Sequence, residues 1–460
     1  MAAMFATHLT CFRCGARHAF DPAAYLCPAC VGQTSRFILS HAQQGEGPVH
    51  SDTAKVQATS AAAIPTANTD PPILDVHYDY AAAGAALKKH LRPSPEGEGR
   101  RDVFRWRKLL PVADPADLLP AGGTALVEAP RLAQRLGLAR LLLKDETRNP
   151  TRCLKDRATA VGVSMALALG RRDVYCASAG NAAISLAGFA AHARLACHVF
   201  VPSYASATRL DWLRRFGADV RVSTGNYDQA FEESEAAGQR HGWWSRNCAC
   251  NPFLVEGKKT CAFEIAEQLE WRPPDMVVAP VGDGCTLAAL GKGARELRTM
   301  GLIDRLPRLV GAQSAAVQPL VERFAAANAP GNIGASFSAP SASSPPVVPS
   351  RGANRAGQLK PPPIQTTSGP AATDTQAASM AVRRPRNALR LFAELREAGG
   401  TLLAVTDDEI AIAQRLLAAE AGLVAEFTSA ATLAALLRLR ESESLAGKTA
   451  VLVITGGRVD

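Results

Sequence analysis

A chain of 460 residues that is 47% hydrophobic can bury the cores of two ordinary domains and still carry appendages, and it has no run of eighteen uncharged apolar residues with which to span a membrane. The net charge of +9, from 51 basic and 42 acidic side chains, admits an anionic partner such as nucleic acid. Six of the basic residues (Arg351, Arg355, Lys360, Arg383, Arg384, Arg386) and one acid, Asp374, fall in a single weakly patterned stretch between Pro330 and Arg386. A solvated segment accounts for that excess, so nucleic acid is disfavoured as a partner.

The N-terminus, MAAMFATHLTC, has no basic start followed by an apolar core and a cleavage site, which fits a soluble cytoplasmic protein. The cysteine count, eleven, is odd. Seven of these residues (Cys153, Cys176, Cys197, Cys248, Cys250, Cys261, Cys285) are scattered without framework spacing, as expected for reduced thiols. The other four form two CxxC knuckles, Cys11/Cys14 and Cys27/Cys30, separated by twelve residues. That pattern predicts a structural zinc ribbon over residues 1–40, with four thiolates closing the tetrahedron and leaving no open catalytic position. Free thiols or redox pairs are the alternative.

Residues 41–70, rich in Gly, Ala, Ser and Thr, read as a low-complexity linker, and ILDVHYDY reads as the strand that returns the chain to folded structure. From about Gly123, short apolar runs alternate with helical patterns, the signature of a parallel sheet with helices on both faces. The predicted strands are ARLLLK, DVYCAS, CHVFVP, DVRVS, DMVVAPV, RLVGAQ, TLLAVT and TAVLVIT, with helices in RATAVGVSMALAL, AAISLAGFAAHA, ATRLDWLRRFG, KTCAFEIAEQL and DEIAIAQRLLAAEAG. A Pro-, Ser- and Gly-rich segment at about 328–377 interrupts the region 71–460 as a disordered insertion.

Four short segments carry the chemistry. Lys155 opens a helix after the loop Thr147 to Cys153, where the dipole and partial burial both favour a neutral, nucleophilic amine able to form an imine with an aldehyde. Locally, Lys155 followed by Asp156 reads more readily as a solvated surface pair. Ser178-Ala179-Gly180-Asn181 follows a strand and opens a helix, so its amides can receive a carboxylate; ordinary helix capping also explains the location. Gly282-Asp283-Gly284-Cys285-Thr286 is a strand-to-helix turn whose N–H groups can converge on a phosphate monoester, provided that Asp283 faces away; an empty tight turn is the alternative. Thr455 ends the last strand, where its hydroxyl can meet a ring nitrogen or simply terminate the strand.

Together with GTALVEAPRLAQRLGL, KDETRNPT, NPFLVEGKKTCAFEIAEQLEW, VAPVGDGCTLAALGKG and AEFTSAATLAAL, these segments resemble the threonine synthase family of the tryptophan synthase β-like group, over about residues 100–327 and 375–460. The resemblance implies a fold type II α/β enzyme: two open twisted sheets flanked by helices, with the ribbon in front. It implies pyridoxal 5'-phosphate as cofactor, carried as a Schiff base on Lys155. Asn181 would meet the 3-hydroxyl, Gly282 to Thr286 the phosphate and Thr455 the ring nitrogen. Ser178, Ala179 and Gly180 would take the substrate carboxylate. The implied activity is conversion of O-phosphohomoserine and water to threonine and phosphate by a homo-oligomeric lyase that acts on a small amino acid.

The chain departs from the family's Asn-Pro-Thr-Gly-Ser-Phe-Lys-Asp by placing Arg152, Cys153 and Leu154 before the lysine, and Phe427 follows Glu426 where the family has proline. Loss of a small turn residue and a hydroxyl leaves β-elimination or β-replacement on serine- or threonine-like amino acids as an alternative reaction. An inactive relic serving as a zinc-ribbon nucleic-acid-binding protein is the reading from another class.

Overall fold

The computed structural model describes residues 5–31, 70–90, 100–112, 115–328 and 375–457. The predicted linker, save Asp70, and the predicted insertion, save its ends at 328 and 375–377, lie outside the described residues, as does Arg458. No helix among the described residues is long and apolar enough to cross a membrane.

The strands are β1 (Ala6–Cys11), β2 (Arg17–Ala19), β3 (Leu74–Tyr78), β4 (Leu126–Glu128), β5 (Arg140–Asp145), β6 (Asp173–Ala177), β7 (Ala196–Val201), β8 (Asp219–Val222), β9 (Trp244–Ser245), β10 (Met276–Pro280), β11 (Arg308–Ser314), β12 (Thr401–Val405) and β13 (Thr449–Ile454). They form a six-stranded sheet of order β12-β11-β10-β13-β5-β4, a four-stranded sheet of order β8-β7-β6-β9 and a small antiparallel sheet β2-β1-β3. The two larger sheets are parallel apart from the antiparallel edge strand β4. All eight predicted strands are present. The strand in ILDVHYDY is present too, but it pairs with β1 and so completes the ribbon's sheet.

Side-chain alternation along the six-stranded sheet divides its core in two. Leu141, Leu143, Met276, Val278, Val310, Ala312, Ala450, Leu452 and Ile454 pack beneath helices Pro130–Leu136, Asp407–Ala421 and Phe427–Ser442. Leu142, Val277, Ala279, Leu309, Leu402, Val451 and Val453 face the opposite layer, from helices Phe253–Gln268, Cys285–Thr299 and Ala388–Glu397. In the smaller sheet, Val174, Cys176, Val199 and Val201 face helices Lys155–Ala168 and Asn181–Ala193, whereas Ala177 and Phe200 face helix Tyr227–His241. Burial on both faces explains why these strands read as continuous apolar runs.

Buried charges join the layers. Arg157 is fully buried and bonds Glu146 through Nε (2.7 Å) and Nη2 (2.7 Å), Glu264 through Nη1 (2.7 Å) and Nη2 (2.7 Å), and the hydroxyls of Thr124 and Thr260. Lys144 adds a 2.7 Å bond to Glu264. A second cluster ties the ribbon to the body: Lys292 Nζ, from helix Cys285–Thr299, donates to Asp75 Oδ1 (2.6 Å) and Val76 O (2.6 Å) on β3, and to Glu256 Oε1 (2.7 Å).

Removing one member of such a cluster strands the others in low dielectric. Arg157→Met is expected to destabilise the fold by about 3–5 kcal/mol in urea unfolding, and a loss below about 1 kcal/mol would contradict the assigned role. Burial by itself would raise the Glu264 carboxyl, but Arg157 and Lys144 outweigh it and hold it at about 2. Because that lies below the unfolded value of about 4.3, this stabilisation is complete above roughly pH 4.5 and is lost as pH falls towards 2. Unfolding free energy measured across that window should decline, and a flat profile would count against the pairing.

Candidate active site

The C-terminal ends of parallel strands converge on one cavity of about 450 Å³, the position where open α/β sheets place their ligands. Every candidate site residue of the catalytic region lines it: Lys155, Ser178, Ala179, Gly180, Asn181, Gly282, Asp283, Gly284, Cys285, Thr286 and Thr455. They arrive on separate segments, following β5, β6, β10 and β13.

Lys155 begins its helix, and the loop ahead of it is stitched to the last strand. Leu154 N donates to Thr455 O (2.8 Å), Cys153 bridges Gly456, and Gly457 N donates to Arg152 O (3.3 Å). The solvated-pair alternative fails, because Asp156 is fully buried and its Oδ2 accepts from Thr151 N (2.6 Å), folding the carboxylate back over the loop. Burial lowers the Lys155 pKa, and the nearby Lys258 ammonium lowers it further. Both effects favour the neutral amine.

Arg152 occupies the left-handed region at φ +62°, the conformation that suits the glycine of the resembled motif and that a side chain adopts only at a cost of about 1–2 kcal/mol. Arg152 is exposed and Cys153 is buried, with its sulfur 3.6 Å from Thr151 Oγ1 and 3.8 Å from Asn181 O, and neither is among the residues lining the cavity. The departures from the family motif therefore lie in the support of the lysine, outside the cavity lining.

In the turn after β10, Gly284 has φ +94°, and a Cβ on Gly282 would come 2.3 Å from the backbone oxygen of Ser379, so both positions require glycine. Asp283 turns its carboxylate onto the segment before helix Ala388–Glu397: Oδ1 accepts from Arg386 N (2.5 Å) and Oδ2 from Asn387 Nδ2. That leaves the successive N–H groups of the turn at a fifteen-residue helix N-terminus, an arrangement that can hold a phosphate. Asn387 is oriented in turn by Arg390 Nη1 (2.8 Å), and Arg390 reaches the ribbon through Leu74 O (2.6 Å) and the ring of Phe12 (5.3 Å).

Ser178 Oγ accepts from Gly180 N (3.1 Å), which keeps its own proton available for donation. Asn181 donates through Nδ2 to Glu426 Oε2 (2.8 Å), which leaves its amide oxygen for a hydroxyl partner. Thr455 Oγ1 lies 3.0 Å from Ser429 Oγ. Sequence reasoning gave no role to Glu426, Arg246, Lys258 or Cys248, all of which line the same cavity. Glu426 is the N-cap residue of helix Phe427–Ser442 yet makes no capping bond with its side chain, because that carboxylate is committed to Asn181.

At the ribbon, the sulfurs of Cys11, Cys14, Cys27 and Cys30 lie within 4.8 Å of one another. The Cys14 and Cys27 sulfurs are 3.7 Å apart. A tetrahedron with zinc–sulfur bonds of about 2.3 Å has edges of about 3.8 Å, so the set fits a structural zinc ion. His18 Nε2, 3.2 Å from Cys27 Sγ, is placed to support a bound thiolate from outside the ligand set.

The pattern of the pyridoxal-phosphate-dependent enzyme family matches residues 118–456. Threonine synthase of Methanosarcina acetivorans is 30% identical over 98% of this chain and 91% of its own length, and that of Methanocaldococcus jannaschii is 33% identical over 84% and 86%. Among solved structures, diaminopropionate ammonia lyase from Escherichia coli superposes with a TM-score of 0.57 at 16% identity, covering 83% of this chain and 90% of its own, a likeness of fold. The chain belongs to the pyridoxal-phosphate-dependent enzyme family, and threonine synthases are its relatives within it.

Proposed function

We propose that the protein converts O-phosphohomoserine and water to threonine and phosphate, with Lys155 holding the cofactor covalently. The observation that carries the reading is the convergence of Lys155, Asn181, the Gly282–Thr286 turn and Thr455 on one cavity, in a chain whose full-length relatives are threonine synthases. Bound pyridoxal phosphate supplies an electron sink for charge developing on the substrate carbons.

The remaining work falls to the protein. The turn at Gly282 to Thr286 receives the cofactor phosphate, while Asp283 is held off that phosphate by Arg386 N and Asn387. The Asn181 amide oxygen and the Thr455 hydroxyl orient the two polar edges of the ring. Ser178 and the N-terminus of helix Asn181–Ala193 receive the substrate carboxylate. Arg209, on the helix across the cavity, has a guanidinium nitrogen 3.8 Å from where a Cβ on Gly180 would stand, so it offers positive charge to the departing phosphate. Lys155, its amine biased towards the neutral form by burial and by Lys258, removes the α proton and, after passing it on, a β proton. The γ C–O bond breaks as phosphate leaves, and a proton goes to the γ carbon to complete the methyl group. The hydroxide of water adds at the β carbon while its proton goes to the phosphate, and Lys155 returns a proton to the α carbon. The threonine synthases related to this chain over most of its length favour this reaction over the β-eliminating or β-replacing alternative.

The purified, cofactor-loaded protein is expected to release threonine and phosphate in equal amounts from O-phosphohomoserine, and Lys155→Ala to lower turnover by at least about 10²–10⁴-fold. Release of a ketoacid from serine or threonine, with no threonine formed from O-phosphohomoserine, would overturn the assignment.

A further inference from the structure

One wall of the cavity holds a cluster whose two sulfurs have no chemical part in the reaction above, although Cys285 belongs to the glycine-rich turn and Lys258 acts on Lys155. Lys258, on helix Phe253–Gln268, is 1% exposed, and its Nζ lies 3.2 Å from Cys248 Sγ and 2.7 Å from Cys285 Sγ. The two thiols thus share one ammonium as a common partner. Arg246 Nη1 stands 3.5 Å from Cys248 Sγ. Among the described residues, no carboxylate forms a salt bridge with Lys258, and the two sulfurs are the groups this buried ammonium bonds.

The cluster divides its two sulfurs into unlike partners. Two cations, Lys258 and Arg246, bond Cys248 and only Lys258 bonds Cys285. The neighbouring Cys285 thiol and these charges outweigh burial and hold the Cys248 pKa well below the ordinary thiol range, whereas the neighbouring Cys248 sulfur and burial push Cys285 up. Cys248 and Cys285 line the cavity and are open to a small solute. Cys197 and Cys261 are buried away from the cavity, and Cys176, buried on its wall, is hydrogen-bonded by no cation among the described residues; burial raises the pKa of all three. Thiolate character, access and a neighbouring second thiol are the three conditions for selective, reversible oxidation.

We propose that Cys248 and Cys285 are a hydroperoxide-oxidisable dithiol in which Cys248 is attacked first and Cys285 resolves it to a disulfide. Cys248 sulfur attacks the terminal peroxide oxygen. An S–O bond forms, the O–O bond breaks, and the leaving hydroxide takes a proton to become water. Cys285 then attacks the oxidised sulfur. The S–S bond forms, the S–O bond breaks, and the departing hydroxide takes the Cys285 proton as a second water. Two thiols lose two electrons and two protons, and one hydrogen peroxide is reduced to two waters.

Cys285 is the first residue of the helix whose N-terminus forms the glycine-rich turn, so the crosslink ties that turn to the segment after β9. This step depends on the thiols and on Lys258, and it holds or fails independently of which amino acid the enzyme takes.

The test treats the full cofactor-loaded chain with hydrogen peroxide, digests it without reductant and maps the peptides. The expected product joins the peptides of Cys248 and Cys285 with the loss of two hydrogens, and dithiothreitol separates them. At neutral pH, iodoacetamide is expected to alkylate Cys248 at least about tenfold faster than Cys176 or Cys261. Lys258→Met should move the midpoint of the alkylation pH profile of Cys248 upward and slow crosslinking. Both cysteines remaining reduced while the ribbon thiols oxidise, Cys248 stopping at sulfinic acid without a crosslink, or a sulfur–oxygen–nitrogen bridge to Lys258 would each overturn the proposal. The wild-type mapping decides the matter even where a variant fails to fold.

Discussion

The position of Lys155, the lysine proposed to hold the cofactor, depends on a buried guanidinium two residues further along its helix. Arg157 holds Glu146, just past β5 of the large sheet, and Glu264, on the helix behind the glycine-rich turn, so one side chain fixes the start of the Lys155 helix against two elements. A cluster of this kind is weak as a source of net stability, since desolvation of its members offsets most of the attraction. Its value is geometric. Carboxylates without water accept few alternative arrangements, and the helix start cannot slide without breaking several charged bonds at once. The bond from Leu154 to Thr455 then sets the lysine against the end of β13, which brings two site residues distant in sequence into one register.

The ribbon is held by the same sort of interaction, and its reach extends to the site. Lys292 binds β3 on one side of the contact, and on the other Arg390 lies against Phe12, between the first two zinc-ligating cysteines, while bonding Leu74 O and Asn387. Asn387 holds Asp283 in the glycine-rich turn. A continuous run of packed and hydrogen-bonded groups therefore joins the cysteine knuckle to the glycine-rich turn. The ribbon's apolar residues Leu9, Leu74 and Val76 also share a core with the smaller sheet's helices, so the N-terminal segment is part of the folded body.

The fold was legible in the sequence wherever burial on both faces produced an uninterrupted apolar run, as in DMVVAPV and TAVLVIT. Strands β4 and β9, three and two residues long, leave no such pattern. Pairing of β3 with β1 was hidden for another reason: it joins residues more than sixty positions apart, and no local signal specifies a partner at that distance. At the site, the glycines, Lys155, Asn181 and Thr455 stood out through the ordered resemblance to a family, while their local surroundings admitted ordinary capping or a surface ion pair. The burial of Asp156 removes the surface-pair reading, and the Asn181 side chain bonds Glu426 instead of capping its own helix. Lys258 and Cys248 could not be read in advance, because EGKKTC looks like any charged helix face until tertiary packing buries it against sulfur.

Borohydride reduction of the cofactor-loaded protein, followed by peptide mapping, tests the central claim most directly, because it records which amine holds the cofactor without depending on turnover. The phosphopyridoxyl group is expected on Lys155 alone. Its appearance on Lys258, or the absence of any covalent adduct in protein that retains the cofactor, would contradict the account.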